Sequence, residues 1–359
     1  MARLDSFLRL VAEQGVSDLH FHSGNVPIVR HEGELMPLPF RTLSEGETRR
    51  FLFEIITDRQ RDEFEKTHEL DFVYVLDGVG RFRANFMMQS QGVGAVFRVI
   101  PGTVPSLDSL GMSAAVKKLA HLTNGLVLIT GPTGSGKTTT LAAMVHEINT
   151  NEPRHVISIE DPIEFIHPSL VGSVTQRQVG EHAATFASAL RSALRESPDV
   201  LVVGELRDLE TIQLALQAAE TGVLVFGTLH SNSASKAIDR IVDAVPDEAR
   251  DQVRGTLSVL LRGVLSQHLL RRENGEGRVA ATELLLQSYA VSHLIREGKT
   301  FQIDAYLDSA SNDGSGAEAL DHCLGRFLRE GQITLEEALK VANAPDALKK
   351  FAAELSDDR

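Results

Sequence analysis

Short apolar runs separated by polar, helix-like stretches dominate the chain from residue 125 onward. The runs are rich in β-branched residues and do not alternate with polar positions, which is typical of strands buried on both faces of a parallel sheet. Helical crossovers are expected between them, so the pattern predicts an α/β fold. Ligands bind beyond the carboxyl ends of such strands, and the residues after each run are therefore the candidates for function. The runs are GLVLIT (125–130), HVISIE (155–160), DVLVVG (199–204) and VLVFGT (223–228).

The first 100 residues show a different pattern and predict a small α+β domain. Alternating apolar and polar positions around turn residues indicate strands. Two other segments carry apolar residues at helical spacing, and the first of them is amphipathic. The predicted helices cover 1–15 and 44–66, and the predicted strands lie within 17–38, 71–88 and 94–100.

Residues 101–112 contain two prolines and two glycines and predict a linker between two domains. The second domain is expected to span 113–359 and to begin with a short helix near 113–122. After residue 250 the chain is expected to turn helical, because VRGTLSVLLRGVLSQHLL (253–270) has the periodicity of an amphipathic helix.

Composition narrows the classes of function. Acidic residues number 49 against 36 Lys and Arg, a net charge of −13, so no long-range attraction to nucleic acid is built into the surface and no nucleic acid partner is expected. The single cysteine, Cys323, excludes an internal disulfide and a cysteine-only zinc site. No uncharged apolar run approaches the ~20 residues of a membrane span. We therefore expect a cytoplasmic protein whose membrane association, if any, runs through a partner.

The sequence GPTGSGKT (131–138) follows the first buried run and precedes the helical stretch TTTLAAMVHEI. It matches the phosphate-binding loop pattern G-x-x-x-x-G-K-[ST] in the required strand–loop–helix context. Backbone N–H groups of such a loop bind phosphate oxygens, the lysine bridges the β- and γ-phosphates, and the hydroxyl after it binds Mg²⁺. The motif predicts ATP and Mg²⁺ as ligands. The predicted nucleotide-binding residues are Gly131, Pro132, Thr133, Gly134, Ser135, Gly136, Lys137, Thr138 and Thr139, with Thr138 also a metal ligand.

Carboxylates follow the second buried run, where Glu160, Asp161 and Glu164 come at or just after its end. A lone acid in this position is often a helix cap or a solvated charge. Beside a phosphate-binding loop, however, a carboxylate on a neighbouring strand is able to reach the water that faces the γ-phosphate. Glu160, the last residue of its run, is the best placed of the three.

The third buried run lacks the aspartate that usually follows such a strand in phosphate-loop enzymes. In DVLVVGELRD (199–208) the chain places Gly204 there, and Glu205 follows. We expect the metal-side carboxylate to be Glu205, with Gly204 leaving space against the phosphate loop. Asp208 directly precedes the periodic stretch LETIQLALQAAE and is predicted to be its N-cap. The sequence assigns no role to Arg207.

Other candidates for the site are one histidine and three arginines. His230, beyond the fourth run, is either a structural residue or a γ-phosphate sensor that hydrogen-bonds a carboxylate. Arg81 and Arg83 share one face of a predicted strand, and Arg98 is able to join them from a partner strand. They form either a solvated basic face or a source of positive charge for phosphoryl transfer.

Together, these motifs resemble those of the secretion-type ATPase superfamily that powers type IV pili and type II secretion. GPTGSGKT is similar to its Walker A motif, ISIEDPIEF to its aspartate box, LRESPDVLVVGELRD to its atypical Walker B motif, and GTLHSNSA to its histidine box. The likeness spans nearly the whole chain, since SDLHFHSG, GRFRANF and AVFRVIP resemble the family's N-terminal PAS-like domain. It implies a RecA-like ATPase domain preceded by that smaller α+β domain.

Within the superfamily the chain most resembles the pilus retraction ATPases, the PilT/PilU-like branch. The short N-terminal domain and the lone cysteine fit that branch, since assembly and secretion motors have longer N-terminal regions and often a four-cysteine zinc site. The resemblance implies a homohexamer in the cytoplasm, docked on the inner-membrane pilus platform protein. It also implies Glu160 as the water-activating glutamate and Glu205 as the Walker B glutamate, with Arg81, Arg83 and Arg98 as the arginines near the nucleotide.

One segment departs from the branch. Retraction ATPases have AIRNLIRE where this chain reads AVSHLIRE (290–297), so Ser292 replaces an arginine and His293 an asparagine. A later segment that resembles GMQTMD in the branch reads SGAEALD here. Two alternatives therefore stay open beside a retraction motor: an assembly, secretion or conjugation ATPase of the same superfamily, and a regulatory paralogue that binds ATP and a separate pilus motor.

Overall fold

The computed structural model describes residues 2–31, 34–311 and 313–357, which divide into two compact units. The first unit comprises 1–103 together with 162–165, and the second comprises 104–161 and 166–359. Within the described residues, no helix is both long enough and apolar enough to cross a lipid bilayer.

The first unit packs three helices against an antiparallel sheet that has six strands in the described part of the chain, in the order β3-β2-β1-β6-β5-β4. Its core is built mostly from leucines and phenylalanines, and Phe86 makes edge-on ring contacts with Phe64, Phe72 and Phe97. The predicted N-terminal helix and strands are confirmed, and the segment predicted as one helix over 44–66 forms two. The elements are α1 (Asp5–Glu13), β1 (Asp18–His22), β2 (Ile28–His31), β3 (Glu34–Pro37), α2 (Glu45–Phe53), α3 (Asp58–Thr67), β4 (Glu69–Leu76), β5 (Gly80–Gln89) and β6 (Gly92–Ile100).

The second unit is built on a sheet in the order β13-β12-β7-β11-β10-β8-β9, counting the strands of the described residues. Its strands are β7 (Gly125–Thr130), β8 (His155–Glu160), β9 (Ser173–Gln178), β10 (Val200–Val203), β11 (Leu224–Leu229), β12 (Leu261–Arg271) and β13 (Arg278–Leu286). Its helices are α4 (Ala114–Ala120), α5 (Lys137–Asn151), α6 (Phe186–Ala193), α7 (Leu209–Glu220), α8 (Ala234–Asp243), α9 (Arg250–Leu260), α10 (Tyr289–Arg296), α11 (Ile303–Ala310), α12 (Leu320–Arg329), α13 (Leu335–Leu339) and α14 (Pro345–Asp357), with 3₁₀ turns at Asp247–Ala249 and Thr300–Gln302.

The four apolar runs form the centre of this sheet, as their composition predicts. Strands β7, β11, β10 and β8 pair in parallel, and every residue of β7, β10 and β11 is buried. Alternate residues of each strand face two separate cores, so Leu128 packs on one face with α7 and α8 while Val127 packs on the other with α4 and α5. Burial on both faces is the reason that these runs lack polar alternation.

The prediction of a continuous helix over 253–270 is wrong. Helix α9 ends at Leu260, and the rest of the segment forms β12, which pairs in parallel with β7 and antiparallel with β13. Because β12 lies between two strands, most of its residues are buried, and an apolar run of that kind also satisfies helical periodicity. Backbone hydrogen bonds to β7 favour a strand over a helix in this segment. The edge strands β9 and β13 had no counterpart among the predicted elements.

The predicted N-cap is confirmed. Asp208 accepts hydrogen bonds from the backbone N–H of Thr211 at 2.9 Å and from the Thr211 hydroxyl at 2.9 Å, and α7 begins at the next residue. The carboxylate also lies at the positive end of the helix dipole.

We expect Asp208→Ala to lower the free energy of unfolding by about 1 kcal/mol, because it leaves the first-turn N–H groups of α7 without their cap. Urea unfolding followed by circular dichroism measures the change. Asp208→Asn, which keeps a capping oxygen, is the first control. Glu210→Ala is the second, since it removes only an exposed ion pair with Arg191 and should cost less. An equal loss in the alanine and asparagine variants would contradict the capping role.

Candidate nucleotide-binding site

The phosphate-binding loop lies between β7 and α5, and its glycines have distinct roles. Gly131, Gly134 and Gly136 have φ of 145°, 79° and 87°, in the left-handed region that favours glycine. A Cβ atom at Gly131 would lie 2.3 Å from the carbonyl oxygen of Gln267, so any side chain there would clash. A Cβ at Gly134 would have no neighbour within 4 Å, which leaves that part of the loop backbone open to a ligand.

Gln267 on the neighbouring strand β12 hydrogen-bonds this loop, a role that the sequence pattern did not predict. Its side chain is 2% exposed, donates to the carbonyl oxygen of Ser135 at 2.7 Å and accepts from the Thr140 hydroxyl at 2.8 Å. One buried amide therefore ties the loop to the first turn of α5. Because the segment was interpreted as helix, nothing in the pattern placed Gln267 beside the loop.

A buried cation lies at the start of α5. The Lys137 ammonium donates to the carbonyl oxygens of Gly131 at 2.8 Å and Pro132 at 2.9 Å, and its residue is 8% exposed. Burial lowers the pKa of Lys137, and the negative charge of Glu205 opposes that shift. The lysine is thus held against the loop backbone at the point where phosphates bind in such motifs.

His230 connects Lys137 with Glu205. Its Nδ1 lies 3.5 Å from the Lys137 ammonium and its Nε2 lies 3.4 Å from Glu205 Oε1. An ammonium group only donates, so Nδ1 is assigned as the acceptor from Lys137. His230 therefore lies within 3.5 Å of both Lys137 and Glu205, two other predicted site residues that come from different segments.

Glu205 lies directly beyond β10 and has a second partner. Its Oε2 atom is 2.7 Å from Nε of Arg207, and its side chain is 20% exposed. The ion pair gives Arg207, to which the sequence assigned no role, a definite position beside the candidate metal ligand.

The expected reason for Gly204 is wrong. A Cβ at that position would lie 3.0 Å from the carbonyl oxygen of Ile159 and 3.3 Å from the Cα of Glu160, rather than against the phosphate loop. The Gly204 N–H donates to that same Ile159 oxygen at 2.8 Å. Glycine therefore favours the close approach of β10 to the end of β8, where Glu160 lies, since a side chain would make tighter contacts than are usual.

Two polar side chains orient Glu160. Its Oε1 accepts from the Ser158 hydroxyl at 2.8 Å and from the side-chain amide of Gln176 at 3.1 Å. Ser158 is on the same strand and Gln176 is on the edge strand β9, which the sequence pattern did not predict. Hydrogen bonds of this kind fix the rotamer of a carboxylate.

The three predicted arginines lie in the first unit. Arg83 and Arg98 are direct partners in the register of β5 and β6. Arg83 pairs with Asp71 at 2.7 Å and lies 3.8 Å from Glu164, and Arg98 pairs with Asp18 at 2.8 Å. Arg81 donates to the carbonyl oxygens of Ile163 and Glu164 at 3.0 and 2.8 Å. Each has partners within its own unit, and their role toward a nucleotide stays a prediction.

The residues present fit an anionic ligand at the loop. The hydroxyl oxygen of Ser135 is buried without a hydrogen-bond partner among the described residues, although it lies inside the loop. An unpaired buried polar atom is costly unless a ligand or water uses it. His, Cys, Asp and Glu side chains of the described residues do not form a cluster of three or more suited to a metal ion.

Comparison with known proteins places the chain in a family. Residues 50–349 match the family described as type II/IV secretion system protein. The type IV pilus retraction ATPase PilT of Pseudomonas aeruginosa is 45% identical over 96% of this chain and 99% of its own length. The type IV pilus ATPase PilU of the same organism is 38% identical, over 96% of this chain and 90% of its own.

A solved structure agrees with these relatives. The crystal structure of the pilus retraction motor PilT with bound ADP superposes with a TM-score of 0.87 at 42% identity, covering 98% of this chain and 99% of that one. The predicted fold class is confirmed: a RecA-like ATPase domain preceded by a small α+β, PAS-like domain. The chain belongs to the type II/IV secretion system protein family, in the branch that contains the PilT-type pilus retraction ATPases.

Proposed function

We propose that this protein is an ATP-hydrolysing motor that powers type IV pilus retraction and, through it, twitching motility. The observation that carries the proposal is the convergence of Lys137, His230 and Glu205 beside the phosphate-binding loop, with Glu160 oriented on a neighbouring strand. The end-to-end similarity to PilT supports assigning this ATPase to retraction.

In this proposal the loop residues 131–139 bind the phosphates of ATP through backbone N–H groups, the Ser135 hydroxyl and the Lys137 ammonium. Thr138 and Glu205 would hold Mg²⁺, which supplies neutralisation of phosphate charge. Glu160 takes a proton from the attacking water, and Ser158 and Gln176 hold its carboxylate in the orientation that this requires. His230 links the phosphate-binding lysine to the metal-side carboxylate, so it senses the charge state of the bound nucleotide.

We infer that the remaining positive charge comes from the N-terminal domain, residues 1–100, which the linker 101–112 joins to the ATPase domain. Arg81, Arg83 and Arg98 are the candidates, and the register pairing of Arg83 with Arg98 supports a shared role. Two arginines opposite each other repel, so their juxtaposition is best accounted for by anionic partners. Asp71, Asp18 and Glu164 are such partners here, and a nucleotide phosphate would be another.

The proposed assembly is a homohexamer on the cytoplasmic side of the inner membrane, docked on the pilus platform protein, and a paralogous pilus motor is a further proposed partner. The relatives named PilT and PilU support a pilus setting, and the description of PilT as a motor supports coupling of hydrolysis to movement.

One observation favours a second candidate, an accessory role beside a separate motor. The departure AVSHLIRE falls on α10, whose Val291 and Ile295 are buried while His293 and Arg296 are exposed. The substitutions thus change the exposed and half-exposed part of the helix and leave its packing face apolar. The higher identity to PilT than to PilU supports the motor.

Lys137→Ala should abolish ATP hydrolysis and weaken nucleotide binding by about 100-fold or more, because no other described side chain places an ammonium against the loop carbonyls. Titration with a fluorescent ATP analogue and a phosphate-release assay measure the two effects. Lys117→Ala, which removes a half-buried ammonium paired with the exposed Asp108, is the control and should leave both unchanged. Retained hydrolysis in the Lys137 variant would contradict the site.

Glu160→Gln should bind ATP with an affinity close to that of the wild type but hydrolyse it about 100- to 10,000-fold more slowly, since an amide cannot take the proton from water. The same two assays apply. Glu181→Gln, an exposed position after β9, is the matched control. Wild-type hydrolysis by the Glu160 variant would remove it from the role of base.

Deletion of the gene should leave pili assembled but unable to retract, and complementation with Glu160→Gln should fail to restore retraction. Twitching on agar and phage or micropillar pulling assays measure retraction, while electron microscopy counts pili. Loss of pili would favour an assembly motor instead. Normal retraction together with weak ATPase activity of the purified protein would favour the accessory paralogue.

A further inference from the structure

Three neighbouring strands of the second unit carry a row of buried polar side chains. Thr130 on β7, Ser266 on β12 and Glu283 on β13 are register partners across the sheet and are 0%, 1% and 4% exposed. Directly opposed residues present their side chains on the same face, so the three form one continuous polar row. Buried polar groups in a mainly apolar sheet destabilise it unless they are hydrogen-bonded. The hydrogen-bond partners of these side chains therefore indicate what the row does.

Both ends of the row bind the histidine loop, which we define as residues 230–233. The Thr130 hydroxyl accepts from the N–H of Ser231 at 2.9 Å and donates to the carbonyl oxygen of Ser231 at 2.7 Å. Glu283 Oε1 accepts from the N–H of Ala234 at 2.7 Å, and Ala234 is the first residue of α8. The loop that carries His230 is thus fixed near both of its ends by one polar row.

Burial of the Glu283 carboxyl group disfavours its ionised form. Burial raises its pKa to about 7, the N–H of Ala234 acts against that shift, and the negative charges of Asp304, Asp321 and Asp308 add to it. Across the strand it faces the neutral Ser266, whose hydroxyl lacks a hydrogen-bond partner within the described residues. A leucine would fill the same space without that desolvation cost, but it would leave the buried N–H of Ala234 without its acceptor. Glu283 therefore combines a costly burial with a specific backbone contact at the start of α8.

We propose that Glu283 is a positioning residue for ATP hydrolysis: it fixes the α8 end of the histidine loop and so holds His230 between Lys137 and Glu205. Glu283 acts through the loop backbone and makes no contact with the phosphate-binding loop in the hydrogen bonds of the described residues. The proposal rests on the ATPase function proposed above. The proposal predicts a loss of turnover without a loss of nucleotide binding. Gln267 and Lys137 contact the phosphate-binding loop, and those contacts do not involve Glu283.

The test compares three substitutions in the full-length protein. Glu283→Leu keeps the volume and removes the acceptor, and kcat for ATP hydrolysis should fall about 10-fold or more, since small displacements of site residues have large effects on rate. The dissociation constant for the fluorescent ATP analogue should change by less than about threefold because the phosphate-binding loop is untouched. Glu283→Gln, which keeps an oxygen that accepts from Ala234, should restore most of kcat. A neutral amide is a fair replacement for a carboxyl group whose pKa lies near neutrality.

A matched control separates positioning from general destabilisation. Leu285→Ala removes a side chain that is 1% exposed on the same strand, and it should lower Tm at least as much as Glu283→Leu while kcat stays within about twofold. Hydrogen exchange read by mass spectrometry gives a direct readout. In Glu283→Leu the amides of 231–234 should exchange faster, whereas those of 131–140 should not. If Glu283→Leu does not fold, Glu283→Asp, which shortens the side chain by one methylene, takes its place in every comparison.

Two results would overturn the proposal: a kcat within about twofold of wild type in Glu283→Leu, or an equal loss of kcat in Leu285→Ala at the same Tm. Failure of the ATPase function itself looks different, because wild type would then not hydrolyse ATP or Lys137→Ala would hydrolyse it normally. The hydrogen-exchange comparison reports on the loop in either case.

Discussion

The parallel pairing of β7, β11, β10 and β8 is the constraint on which the candidate site depends. The register places Thr130 opposite Leu229 and Val203 opposite Ile159, so the chain leaves neighbouring strands at nearly the same level. Each functional segment begins at the last residue of its strand or within two residues after it. The side chains meet only because the strands are held in that register, and the apolar burial on both faces is what holds them.

Charge at the site is organised around a desolvated lysine. Lys137 is buried against backbone carbonyls, and a buried cation is stable only when dipoles or an anion compensate it. Here the carbonyls of the loop do so directly and Glu205 does so through His230. The Glu205 carboxylate therefore also favours the charged form of the lysine.

Features set by local sequence pattern could be predicted, whereas features set by pairing with a distant strand could not. The buried runs, the phosphate-binding loop and the Asp208 cap are readable because glycine spacing, β-branched runs and capping residues act over a few positions. The segment that forms β12 was interpreted as helix because apolar runs are ambiguous without knowledge of their neighbours. Gln267 and Gln176 were missed for the same reason: each reaches the site from a strand whose existence the pattern did not indicate.

Gly204 allows the backbone that leads to Glu205 to pack closely against the end of the strand that carries Glu160. With only hydrogen at that position, the backbone that leads to Glu205 passes within van der Waals contact of the backbone that carries Glu160. A Cβ at this position would lie 3.0 Å from the carbonyl oxygen of Ile159, so even alanine would require a shift between the two strands. The spacing between Glu160 and Glu205 is therefore set by close backbone packing and not only by the hydrogen bonds of the two side chains.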